Sequence, residues 1–223
     1  MSDDSFIREV DEQFRQDRAK ELWARFGNYV IALAVLVVLG TAAWQGWQYY
    51  TQKQAAASGD GFLTALKEAE AGNYDAAVSG LTALESDGVG DYPALAEMAS
   101  AAALAAKGDK EAAIKAYDQA AANGSLSDEF RDIAKLRAGL LAVDTEDYAG
   151  VSARLEPMAA AGQPFRSLAR EALGIAAMKA GDDRKALEWY KAIVDDTEAA
   201  SGARGRATMM LDILAGKGVT ADS

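Results

Sequence analysis

The stretch AGDDRKALEWYKAI, residues 180–193, decides the fold, because variants of it occur three times earlier in the chain. They are AGNYDAAVSGLTAL at 71–84, KGDKEAAIKAYDQA at 107–120 and TEDYAGVSARLEPM at 145–158. We call the second position of each window the anchor. The anchors, which are 36, 38 and 35 residues apart, are Gly72, Gly108, Glu146 and Gly181. A nearly constant period of this length is typical of stacked supersecondary units.

Small and large residues hold equivalent places around each anchor. Seven positions before it stand Ala65, Ala101, Gly139 and Gly174; five positions after it stand Ala77, Ala113, Val151 and Ala186. Nine positions after it stand Leu81, Tyr117, Leu155 and Tyr190. Twelve positions after it stand Leu84, Ala120, Met158 and Ile193. This pattern predicts two helices that cross closely. They are joined by a turn in which Gly adopts a left-handed conformation and the following Asp or Asn caps the second helix.

Helix, tight turn and helix at intervals of about 34 residues define a tetratricopeptide repeat. The third unit departs from the pattern, since Glu146 and Val151 replace Gly and Ala, so the pattern predicts its turn less well than the other three. A further amphipathic helix at about 202–215, with Ala207, Met210, Leu211 and Leu214 on one side, is predicted to close the stack. An alanine-rich helical bundle with loops of similar length would also explain the period.

Before the repeats, residues 26–52 carry no charge, and 28–50 are long enough to cross a bilayer. Aromatic residues stand at both ends, Trp23 and Phe26 on one side and Trp44 and Trp47 on the other, as in spans with interfacial belts. A buried helix of a soluble core and a cleavable signal peptide are the alternatives. Against a signal peptide, a long segment rich in acids precedes the apolar run.

Basic residues predict the orientation of this span. Arg15, Arg18, Lys20 and Arg25 precede it, whereas only Lys53 and Lys67 follow within a comparable distance, so the N-terminus should stay in the cytoplasm.

The fold class is therefore predicted as all-α, a single N-terminal transmembrane helix followed by a tetratricopeptide-like helical-repeat solenoid. The predicted parts are a cytoplasmic amphipathic helix at 1–27 with a stripe of Phe6, Ile7, Val10, Phe14 and Leu22, the span at 28–50, a linker at 51–57, a periplasmic repeat domain at 58–217 and a disordered tail at 218–223.

The amino-acid composition excludes most catalytic and metal-binding sites. The chain has no cysteine and no histidine, which removes disulfides, thiolate nucleophiles and imidazole ligands. Its net charge of −11 argues against nucleic-acid binding. The run Asp195, Asp196 and Glu198 is expected to be a solvated helix end, because it lacks the spacing of a calcium loop. We predict no catalytic residue, metal or cofactor, no small-molecule substrate, and a protein that is not an enzyme.

A repeat stack offers a long surface on its first helices for a protein partner. We predicted that positions ten and six before each anchor line it, which gives Phe62 and Leu66, Met98 and Ala102, Leu136 and Leu140, then Glu171 and Ile175. The predicted partner-binding residues are the apolar members Phe62, Leu66, Met98, Leu136, Leu140 and Ile175. Alternatively, neighbouring first helices bury these side chains against each other.

The order of these parts resembles the YfgM-type ancillary subunits of the bacterial SecYEG translocon, a tetratricopeptide repeat-like family. The resemblance rests on ELWARFGNYV at 21–30, LRAGLLAVDTEDYAGVSARL at 136–155 and EALGIAAMKAGDDRKALEWYKAIV at 171–194. It implies a single-pass inner-membrane protein whose periplasmic domain works beside SecYEG and a membrane-anchored chaperone of the PpiD type. Emerging polypeptides are further expected partners. A scaffold for cell-envelope or division-site assemblies, unrelated to secretion, is the alternative function.

Overall fold

The structure is a computed structural model that describes residues 3–220, with the backbone alone at 3–19, 21, 22 and 30. Its contacts divide the chain into two compact units, one ending at Gln54 and the other beginning at Ala55. The described residues form nine helices and no strand: α1 (Asp3–Glu70), α2 (Tyr74–Asp87), α3 (Tyr92–Lys107), α4 (Lys110–Ala122), α5 (Asp128–Thr145), α6 (Tyr148–Ala159), α7 (Arg166–Lys179), α8 (Asp183–Val194) and α9 (Ser201–Gly216). The predicted all-α class is confirmed.

The first unit is helical over its described residues and contains the apolar run. Its apolar side chains are exposed, with Leu36 at 68% and Trp47 at 67% exposure. By length and composition, this is the one helix among the described residues that could cross a membrane. The exposed side chains argue against the alternative of a buried core helix.

Residues 51–57, the predicted linker, are helical, because TQKQAAA consists mostly of good helix formers and contains no Gly or Pro. At the other end, Val219 packs against the core formed by α8 and α9, so the start of the predicted tail is ordered. Residues 221–223 of that tail lie outside the described residues, as do the side chains of the predicted stripe of Phe6, Ile7, Val10, Phe14 and Leu22.

The second unit is built from helical hairpins, each with a first helix, a turn at the anchor and a second helix. Gly72, Gly108 and Gly181 have φ of 82°, 93° and 79°, the left-handed region that favours glycine. In the third turn Glu146 has φ of −109°, so that helix ends in extended backbone instead. The residue after the anchor caps the second helix by accepting a backbone hydrogen bond in three hairpins, through Asp109, Asp147 and Asp182.

The core confirms the register of the repeats. Ala77, Ala113, Val151 and Ala186 are all fully buried, and Leu81, Tyr117, Leu155 and Tyr190 are at most 4% exposed. The small residue before each anchor lies where the two helices cross; a Cβ on Gly139, for example, would collide with the side chain of Leu155. Helix α9 continues the stack through Ala207 and Leu214, which are buried, and through Met210 and Leu211, which are half-buried.

Salt bridges join residues that are about one repeat apart in the chain. We call them inter-hairpin ion pairs: Lys107 with Asp75, Lys110 with Asp144 at 2.6 Å, Arg154 with Asp118 at 2.7 Å, Arg206 with Glu171 at 2.7 Å and Lys217 with Asp183 at 2.9 Å. The paired residues are 32 to 36 positions apart. Each exposed pair contributes at most about 1 kcal/mol, so burial holds the stack together and the pairs favour its register.

Candidate functional site

One side of the first helices carries apolar side chains that the fold leaves accessible. Positions thirteen and six before the anchor are seven residues apart, and a helix therefore places them only about 20° apart around its axis. Gly59 at the first of these positions has no side chain, and we define the first-helix face as the other seven residues, from the end of α1 to α7: Leu66, Leu95, Ala102, Ile133, Leu140, Leu168 and Ile175. Exposure is 37% at Leu140, 41% at Leu168 and 42% at Ile175. No residue of this face is charged.

Only half of the predicted binding positions lie on this face. Leu66, Leu140 and Ile175 do, as does Ala102, and at this position six before the anchor each side chain is exposed or half-buried. Their role in binding stays a prediction.

The position ten before the anchor points elsewhere. Leu136 is 5% exposed within the main core, and Met98 is half-buried against that core. Phe62 is half-buried, with its ring centroid 6.0 Å from that of Tyr92. Leu136 is therefore a core side chain in this structure. Position ten lies about 40° around the helix from position six, and a role for Leu136 in partner binding stays a prediction.

The sequence interpretation missed Leu95, Ile133 and Leu168. Each stands seven residues before a member of the position-six row, and this spacing returns a side chain to the same side of a helix. A search for apolar residues two turns apart on each first helix would have found all three.

The charged groups beside the face are engaged with the fold itself. Asp144 accepts a hydrogen bond from Lys110 at 2.6 Å, and this neighbour lowers the pKa of the Asp144 carboxyl. Lys179 donates to the backbone carbonyl of Val143 at 2.6 Å, which ties α7 to α5. Since these groups already have partners, the accessible surface between them favours an apolar ligand.

Within the acidic run after α8, Asp195 and Glu198 are exposed, as expected of a solvated helix end, whereas Asp196 is not. Asp196 is only 13% exposed at its side chain, and it lies 2.6 Å from Arg166 and 3.0 Å from Arg170. The guanidinium of Arg166 lowers the pKa of the Asp196 carboxyl well below its usual range. Arg170 also donates to the carbonyls of Ala159 and Ala192, so this cluster binds the ends of α6 and α8 to α7.

The described residues contain no group of three or more carboxylates, histidines or cysteines placed to hold a metal ion. The candidate site consists of apolar surface beside structural ion pairs.

Comparison with known proteins gives one result that bears on the whole chain. A family model described as a tetratricopeptide repeat-like domain matches residues 20–216. Searches of curated proteins and of solved structures give no significant match. The family model covers most of the chain and agrees with the hairpins, their anchors and their period. The chain therefore belongs to the tetratricopeptide repeat-like domain family.

Proposed function

We propose that this protein is a non-catalytic, membrane-anchored interaction protein whose first-helix face holds an apolar segment of a protein partner. Domains of this repeat type are typically interaction scaffolds. The observation that carries the proposal is the first-helix face itself, seven apolar side chains on four successive first helices without one charge. Fully burying an exposed leucine or isoleucine side chain gives about 1.5–3 kcal/mol, and the partly exposed members of this row gain a fraction of that on binding.

The partner bound on this face is an extended chain or an amphipathic helix. Both place apolar side chains at regular intervals along one side, as the face requires. The face offers few hydrogen-bonding groups of its own, so it selects for apolar character rather than for one sequence. Anchoring on the membrane raises the effective concentration of such a weak binder beside a membrane-bound partner.

The apolar helix before Gln54 is the proposed anchor, placed in a bacterial inner membrane with the N-terminus in the cytoplasm and the repeat unit in the periplasm. On this proposal the protein is an ancillary subunit of the SecYEG translocon. It would link the channel to a PpiD-type chaperone and hold emerging polypeptides. Support comes from the order of the parts and from the segments at 21–30, 136–155 and 171–194 that resemble such subunits.

A photo-crosslinking residue placed singly at Leu140, Ile175 and Ala153 of the full chain tests this in living cells. Ala153 is the matched control, because it is exposed on second helix α6, away from the first-helix face. We expect crosslinks to translocon subunits, to the chaperone or to an exported polypeptide from Leu140 and Ile175 and none from Ala153. Crosslinks to cell-wall enzymes would instead support the envelope scaffold, and equal crosslinking from all three positions would contradict a binding role for the face.

A pair of glutamine variants separates binding from folding. Ile175→Gln changes an exposed side chain and should lose crosslinking from Leu140 while the protein melts as before. Leu136→Gln removes a core side chain and should cost about 2 kcal/mol or more of unfolding free energy.

A further inference from the structure

A cavity of about 380 Å³ lies between α8 and α9, and it contains no residue of the first-helix face. Apolar side chains from both helices and from the segment after α9 line most of it. The lining apolar residues are Leu187, Val194, Leu211, Ala215 and Val219. Around them stand one ammonium group, Lys191, and two carboxylates, Asp195 and Asp212, both on exposed residues.

Beside α7, a helix occupies the place that corresponds to the cavity beside α9. Helix α7 is buried on two sides: Ala169 and Ala176 join the core of the preceding hairpins, whereas Ala177 joins the core formed with Ala186 and Tyr190 of α8. Helix α7 is thus covered on its far side by its own second helix, α8.

Helix α9 has the first of these two sides covered and not the second. Ala203, Ala207 and Leu214 pack into the core shared with α8. Leu211, Asp212 and Ala215 line the cavity at the edge of this core, and no helix among residues 3–220 other than α8 and α9 contributes to its lining. The cavity is therefore the unfilled place of a second helix.

We propose that this cavity is a second docking site and that it receives an amphipathic helix of a partner protein, which covers α9 as α8 covers α7. A helix at this place would repeat the interface that α8 already forms with α7, and the repeat stack would continue by one helix. A solvated end cap would instead present a polar surface, whereas Leu187, Val194, Leu211 and Val219 keep apolar area here.

The partner helix has a defined chemistry. Its apolar side carries a large residue for the space between Leu187 and Leu211, as α8 uses Tyr190 and Ile193, both fully buried. Its flanks are basic, since Asp195 and Asp212 outnumber Lys191 at the rim and the whole chain carries a charge of −11. This site is independent of the one proposed on the first-helix face.

A labelled peptide with the sequence of residues 182–194 is the probe, because it is the chain's own second helix. A second version replaces its three acids, Asp182, Asp183 and Glu188, with their amides, which gives a net charge of +3. Both are titrated by fluorescence anisotropy against the full chain in nanodiscs of zwitterionic lipid, with empty nanodiscs as the blank. We expect saturable binding with a Kd of about 10 μM to 1 mM, tighter for the basic version at low salt.

Ala215→Trp fills the cavity from an exposed position and should weaken binding at least about tenfold, a change of about 1.4 kcal/mol. Ala153→Trp, on the outer side of α6, is the matched control and should bind the peptide as the parent does. Asp195→Asn with Asp212→Asn should remove the advantage of the basic peptide.

Three results would overturn the proposal: no saturation up to 1 mM of either peptide, equal binding by the Ala215→Trp variant, or self-association of the chain that Ala215→Trp abolishes. The last would assign the cavity to a second copy of the chain. Thermal melts of each variant, followed by circular dichroism, confirm that it is folded before its binding is compared.

Discussion

Tyr190 of α8 packs directly on Gly174 of α7, and an ideal Cβ on that glycine would lie 2.7 Å from the Cζ atom of the ring. The ring is fully buried, and its burial raises the pKa of Tyr190 to about 12, so the hydroxyl stays protonated at neutral pH. The two helices can approach this closely only because residue 174 has no side chain.

Gly174→Ala should therefore destabilise the protein by about 1–3 kcal/mol, the usual cost of forcing an extra methyl group into a packed core. Gly205→Ala is the matched control. Nothing lies within 4 Å of a Cβ at that helical position, so alanine should stabilise by about 0.5–1 kcal/mol through the unfolded chain. Chemical denaturation followed by circular dichroism measures both, and equal effects of the two variants would contradict the close crossing.

Ala186→Arg should cost about 3–5 kcal/mol, because it places an ionised group without a partner at a fully buried position between α7 and α8. The control is Ala153→Arg on the exposed side of α6, which should change stability by no more than about 0.5 kcal/mol. A melt of the Ala186→Arg variant that matches the parent would mean that the repeat register is wrong.

Glu85→Gln should raise the melting temperature at pH 7. Partial burial, followed by the nearby charge of Glu97, raises the pKa of Glu85, so its ionised form is less favourable in the folded than in the unfolded chain. This cost is present above the raised pKa and disappears as pH falls below about 4, the ordinary range of a glutamate. Below that pH, the variant and the parent should have the same melting temperature.

Glu129→Gln should change the melting temperature at pH 7 in the opposite direction. Hydrogen bonds from the Ser127 side chain and from its own backbone N–H lower the pKa of Glu129, so its ionised form stabilises the fold above its ordinary pKa. We expect this variant to melt below the parent at pH 7 and to approach it in acid. Shifts of the same sign in both glutamine variants would refute this electrostatic account.

A protease added to spheroplasts should digest residues 54–223 and leave the N-terminal tail intact. The prediction follows from the four basic residues that precede the apolar run and that disfavour export of the N-terminus. An epitope tag at each end followed by immunoblotting reports which fragment survives. Protection of the repeat unit, or a mature chain that starts near Gln54, would show the orientation or the anchor to be wrong.

The sequence predicted the hairpins well because their crossings use residue types that few other positions tolerate. A glycine or alanine opposite a Tyr or Leu, repeated at one period, specifies which faces meet, and all four crossings are buried as expected. The face that remains accessible was harder to predict. Phe62 and Leu66 differ by little more than one helical turn, and periodicity alone does not say which of the two meets the neighbouring first helix.

The ion pairs could not be predicted from the sequence, for a different reason. The chain has 34 acidic and 23 basic residues, so each charged residue has many possible partners of opposite charge. Asp196 is paired because the loop after α8 returns to the start of α7, and this depends on backbone geometry rather than on a local pattern. The half-buried cluster of Asp196, Arg166 and Arg170 is therefore visible only in the fold.

The way the hairpins are joined also determines how the second unit responds to force. From α2 to α9, extensive contacts link only helices one or two places apart in the chain, and inter-hairpin ion pairs likewise connect residues about one repeat apart. Small rotations at successive junctions add up along such a stack without opening any one core. We therefore expect this part of the chain to be elastic, with a first-helix face that widens or narrows to suit segments of different thickness.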